Sequence, residues 1–136
     1  MCIRDRLWRA TVARVARFEA NTDDYLTADP TTRHLLIGKT IDSGIPVLHE
    51  SHVGGDLVFG TDGTLLIATG DASTWKAAYA GNGPPYFEEK AVQGLAANII
   101  RPAEEVGSFR SQLVDNLNGK VLRLSLIHIS EPTRPY

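Results

Sequence analysis

A histidine and an aspartate bracket a glycine-rich stretch of the chain, which opens with Ser51-His52-Val53-Gly54-Gly55 and closes with Gly70-Asp71-Ala72. An imidazole beside a carboxylate is a proton-abstracting pair. The unperturbed histidine pKa, about 6.5, lies near working pH, and the carboxylate fixes the ring tautomer and stabilises the imidazolium that forms. The two residues are distant along the backbone, so the intervening segment has to bring them together. Asp56 to Gly60 and Thr64 to Gly70 read as short strands around Thr61-Asp62-Gly63, a tight turn in which glycine supplies the positive φ. Such a hairpin carries His52 and Asp71 to one end of a sheet. Each residue also has a plainer reading, His52 as a strand-end histidine and Asp71 as an Asx turn.

The flanking chain supplies further strands. Ala10 to Ala20 alternates with a period of two and reads as one strand. The polar stretch from Asn21 to Arg33, with Asp23-Asp24 and Asp29-Pro30, reads as turn and loop, followed by a short apolar strand at His34-Leu35-Leu36-Ile37-Gly38. Gly44-Ile45-Pro46 marks a break. From Ala72 to Leu117 strand alternation is lost, and Gly81-Asn82-Gly83-Pro84-Pro85 forbids regular structure. Within that excursion Val92, Leu95, Ala96 and Ile99 have helical spacing, which predicts a short helix over Ala91 to Ile100. Gly119 to Leu124 returns as a strand. A connection this long is more often functional than decorative.

The segment His52, Gly54, Gly55, Leu57, Phe59, Gly60, Asp62, Gly63, Leu65 fits the pattern H-x-G-G-x-L-x-F-G-x-D-G-x-L, closed by Gly70-Asp71, and downstream stand Arg110-Ser111-Gln112 and Asn118-Gly119-Lys120-Val121-Leu122-Arg123. In this order the motifs resemble the glucose/sorbosone dehydrogenase family, soluble sugar dehydrogenases that use pyrroloquinoline quinone on a β-propeller. The resemblance covers roughly residues 11 to 124 and is densest in the hairpin. It implies an all-β fold, a fragment of a six-bladed β-propeller amounting to about one and a half blades with a long irregular, partly helical insertion. It also implies an oxidoreductase acting on a lactol or alcohol carbon of a sugar or other small polyol. His52 would be the base and Asp71 its orienting partner. An external electron acceptor, a periplasmic or secreted location, and the cofactors pyrroloquinoline quinone and Ca2+ complete that expectation.

The resemblance also marks what this chain lacks. The family holds quinone and calcium mainly through later segments, including a G-H-R-N-P-like motif that does not occur here. No metal ligand is assigned, since a hard cation needs several oxygen ligands and the sequence shows no EF-hand-like cluster. Residues 1–6 and 125–136 look like translated adapter sequence and are set apart from the fold, leaving residues 7–124 as a partial propeller domain. The one cysteine, Cys2, falls in the first of these ends, so no disulfide is expected.

Composition narrows the alternatives. A hydrophobic content of 43% supports a core, and a formal net charge of −2 argues against a nucleic-acid surface. No run of the sequence reaches the length of a membrane span. Trp75, Tyr79, Tyr86 and Phe87 sit in the excursion, as sugar-stacking aromatics or as the small core of the loop; Trp75, close after Asp71, is the one favoured for substrate. Arg110 and Gln112 are set to reach polar substrate groups or else loop carbonyls, with Gln112 kept as a substrate-binding candidate. Asp56 reads as a surface carboxylate, and His34 and His49 as structural histidines. Lys120 and Arg123 read as solvent or inter-blade positions. A non-catalytic β-propeller used as a binding module is the alternative to the enzyme.

Overall fold

The computed structural model of the chain describes residues 9–74, 81 and 90–126. Strands dominate, arranged as small antiparallel sheets: β1 (Thr11–Ala13) pairs with β4 (Ile45–Val47), β2 (Val15–Ala20) with β3 (Ala28–Ile37), and β5 (Gly54–Phe59), β6 (Leu65–Thr69) and β7 (Val121–Leu124) form a three-stranded sheet in that order. Among the described residues of the excursion between β6 and β7 lie one short helix, α1 (Ala91–Ala96), and two 3-10 turns, Pro102–Glu104 and Gly107–Gln112. The chain is thus all-β in its described parts, with a partly helical insertion.

Four sequence expectations need correction. The expected strand Ala10 to Ala20 is two strands in different sheets. At Arg14 the chain changes partner from β4 to β3, and a register shift between Val15 and Ala16 marks the handover. The expected loop Asn21 to Arg33 is a loop only to Thr27. Asp24 there accepts the Leu26 and Thr27 amides at 2.9 and 3.1 Å, which holds its carboxyl below the usual range. Strand β3 then begins through Asp29-Pro30, because β2 lies alongside and a two-stranded sheet always leaves an edge where proline's missing N–H goes unneeded. Pro46 is accommodated likewise in β4, where a break was expected.

The helix is shorter than Ala91 to Ile100. Asn98 adopts a φ of 54° beyond the helix end, with Asn98 N–H donating to Leu95 O at 3.1 Å and Ile99 N–H to Gly94 O at 2.8 Å. This is a Schellman ending with asparagine in the left-handed position. It turns Ile99 and Ile100 inward, where they pack with Leu48 and Ala91 and with the half-buried Ala10, Val12 and Leu95.

The second cluster, Leu36, Ile37, Ile45, Leu65, Ile67 and Leu124, joins all three sheets. Its logic is the period-two alternation of β6 and β7. Leu65 faces Leu124 and Ile67 faces Leu122 on the buried side, while Leu66 faces Arg123 on the other. Each fully buried aliphatic side chain contributes roughly 1.5–3 kcal/mol. The same face continues onto the edge strand β5, but there it is uncovered: Leu57 and Phe59, opposite Ile67 and Leu65, remain exposed.

Candidate active site

The β5–β6 hairpin closes through Gly60 to Thr64, with Gly60 N–H donating to Thr64 O at 2.8 Å. The Asp62 carboxylate accepts the Thr64 amide at 3.1 Å and the Thr64 hydroxyl at 2.7 Å, and pairs with Arg123 on β7. Those bonds, Thr64 first, hold its pKa down from 3.8 to about 2. At the opposite end of the hairpin the strands diverge into the two arms that carry His52 and Asp71.

His52 Nδ1 lies 3.4 Å from Asp71 Oδ1, with the imidazole side chain 48% exposed and the carboxylate 25%. This is an ion-pair separation, slightly longer than an optimal N–H···O bond. With a carboxylate facing Nδ1, a neutral ring carries its proton there, which leaves Nε2 as the basic nitrogen. Asp71 Oδ1 also accepts the Ser73 amide at 3.0 Å, so Asp71 closes an Asx turn as well.

Local backbone geometry holds the arms together. Ala72 N–H donates to His52 O at 2.8 Å and Gly70 N–H to Val53 O at 3.0 Å. The approach is so close that a Cβ on Gly70 would stand 1.8 Å from His52 O, and one on Gly54 would stand 2.4 Å from Gly70 N. Only glycine fits at either position. His52 and Ala72 take φ values of 55° and 53°, a left-handed conformation that non-glycine residues enter at a cost. Ser51 ties the arms again: its Oγ sits 2.7 Å from His49 Nδ1 and 3.1 Å from Ser73 O, while Ser51 N–H donates to His49 Nδ1 at 3.1 Å. His49 is therefore a buried structural group serving the His52 arm. Sequence reading gave it no partner. The His49-x-Ser51 spacing was the available signal.

The remaining candidates fall outside this pair. Trp75, like Tyr79, Tyr86 and Phe87, lies outside the described residues. Gln112 is exposed at the end of the second 3-10 turn and is not among the described groups bonded to His52 or Asp71. Its turn packs close by, since a Cβ on Gly119 would meet Ser111 Cβ at 2.3 Å and Gly119 N–H donates to Gly70 O at 2.9 Å. Arg110 is fully buried and donates to Glu104 O at 3.1 Å, which makes it a loop-holding residue and removes it from substrate contact. Asp56 is exposed and accepts the Leu57 amide at 3.0 Å.

Sequence reading missed a buried polar knot beneath the excursion. Glu104, with no exposed surface, accepts from Arg101 Nη2 at 2.7 Å, Arg101 N–H at 2.6 Å and Asn116 Nδ2 at 2.8 Å. The carboxylate in turn holds the Arg101 guanidinium above its ordinary pKa. Lys120 Nζ donates to Ser111 O at 2.6 Å and Asn118 O at 2.8 Å, and burial pushes its ammonium pKa down. Among the described residues no three His, Cys, Asp or Glu side chains converge as a group that could hold a metal ion. No described helix is long and apolar enough to cross a membrane. A scan against protein-family models, a search of curated proteins and a search of solved structures each found no match.

Proposed function

We propose that this chain is part of a quinone-dependent sugar or aldose dehydrogenase built on a six-bladed β-propeller, acting in the periplasm or outside the cell. The observation that carries the reading is the exposed His52 imidazole with Nδ1 turned to Asp71 at 3.4 Å. His52 Nε2 takes the proton of a lactol or alcohol hydroxyl as the carbon–oxygen double bond forms. The carbon-bound hydrogen leaves with its electron pair as hydride. Pyrroloquinoline quinone, held with its calcium by segments outside this chain, would supply the hydride acceptor and pass electrons to an external acceptor. Asp71 stabilises the imidazolium that results and keeps Nε2 directed outward.

The test is His52→Ala in the complete protein. Turnover is expected to fall by about a hundredfold or more, the scale for losing a general base. An unchanged rate would remove His52 from the role. The chain by itself, mixed with quinone and calcium, is expected to reduce no dye.

A second reading, a non-catalytic propeller that binds a partner, draws on β5, where Leu57, Val58 and Phe59 are all exposed. In the enzyme reading a neighbouring blade covers them. Leu57→Ser in the complete protein separates the two: destabilisation supports a covering blade, whereas a stable variant that loses only partner binding supports the module.

A further inference from the structure

Asn118 has no exposed surface, and its side-chain amide bridges the two arms of the site. Its Nδ2 donates to Pro46 O at 2.9 Å and to Gly70 O at 3.2 Å. Pro46 belongs to β4, from which the chain runs through buried Leu48 and His49 to His52. Gly70 immediately precedes Asp71. Since both partners are carbonyls, the amide nitrogen must face them, and the orientation of the group is fixed by its neighbours. The neighbourhood locks Asn118 in turn: its N–H donates to Asn116 Oδ1 at 2.7 Å, Gly119 N–H joins Gly70 O at 2.9 Å, and the Thr69 hydroxyl donates to Leu117 O at 2.6 Å.

The other half of the amide is informative. Asn118 Oδ1 is buried without a hydrogen-bond partner among the described residues. Leaving such an acceptor unmet is costly, a penalty that an apolar side chain avoids. An apolar side chain, however, cannot donate to two carbonyls at once. The bridge is what the amide provides in return for its unmet oxygen.

We propose that Asn118 is a positioning residue for the His52–Asp71 pair. By tying the Pro46 carbonyl to the Gly70 carbonyl, it sets the separation of the arms, and through that separation the ring nitrogen of His52 that carries the proton. This deepens the general-base reading and rests on it, because only an Nδ1-protonated ring presents Nε2 as a base.

The experiment is a two-bond proton–nitrogen correlation spectrum of the full chain with labelled histidine, recorded above the histidine titration. The set is wild type, Asp71→Ala, Asn118→Ala, the milder Asn118→Ser, and Leu124→Ala as a destabilised control outside the site. Wild type is expected to show His52 protonated at Nδ1, and Asp71→Ala to move it to Nε2. Either Asn118 variant should produce at least roughly half of the Asp71→Ala displacement, with Leu124→Ala leaving the ring unchanged. Asn118→Ser retains one donor, which keeps a folded variant in the set if Asn118→Ala unfolds. Asn118 variants that are less stable but keep the wild-type His52 spectrum would overturn the positioning role alone. A wild-type ring protonated at Nε2 and indifferent to Asp71→Ala would overturn the paired-base reading and the positioning role together.

Discussion

Asp71 and Glu104 are both carboxylates set by short turns after a strand or helix, and the molecule treats them in opposite ways. Asp71 keeps a quarter of its side chain in solvent and meets His52 at 3.4 Å, whereas Glu104 is sealed from solvent and gathers donors at 2.6–2.8 Å. The buried carboxylate stabilises the chain and is closed to chemistry. The rim carboxylate contributes little to stability and remains able to follow a change of charge on its neighbour. A line of hydrogen bonds joins the two regions, from Glu104 to Asn116, from Asn116 to Asn118, and from Asn118 to the Gly70 carbonyl beside Asp71. The rigid region lies behind the adaptable one, as positioning of a reactive pair requires.

The difference is sharpest for Glu104→Ala. Removing a buried ionic partner costs about 3–5 kcal/mol, and because Arg101 is half exposed and can rehydrate, the expected loss is about 3 kcal/mol. Equilibrium denaturation of the full chain measures it, and a loss no larger than that of Asp71→Ala would erase the contrast between the regions. Gly70→Ala comes next. Its Cβ must displace the His52 carbonyl, and the strain of overpacking is expected to cost about 2 kcal/mol. The same variant should move the His52 ring signals, and unaltered signals would show that the two arms are not in tight contact at Gly70.

These two positions also show how far the sequence could be read. Gly54, Gly70 and the turn at Asp62-Gly63 announce the hairpin, since each glycine answers a local demand of backbone geometry that residue type reveals directly. The approach of His52 to Asp71 follows from that hairpin. Glu104, Asn116 and Asn118 carry no such mark. Asn116 reaches Glu104 from across the excursion and Asn118 reaches β4, and although Arg101 caps Glu104 locally across a 3-10 turn, nothing local shows that Asn116 closes over it. The first part of strand β3 was hidden for a related reason, whereas its His34–Ile37 end was expected as a strand. Asp29-Pro30 favours a turn locally, and pairing with β2 overrides the preference.

The smallest expected effect concerns Asp62, a third carboxylate at the far end of the same hairpin. It is exposed and yet held down from 3.8 to about 2, chiefly by the Thr64 hydroxyl and amide and only then by Arg123. A folded-state value below the unfolded one means that the stabilisation is fully present above the unfolded value, near pH 3.8, and disappears as pH falls through about 2. Asp62→Asn should therefore lower stability modestly above pH 3.8, leave it nearly unchanged below about pH 2, and make the acid decline shallower within that window. Thr64→Val should raise the Asp62 carboxyl midpoint more than Arg123→Ala does, as followed by carboxyl NMR titration. The reverse order would mean that the ion pair, and not the turn's own hydrogen bonds, sets this carboxylate. Asp62 would then resemble Glu104 in drawing on an arginine, and the contrast between an exposed carboxylate held by its turn's own hydrogen bonds and a buried one held by a cation would no longer follow burial.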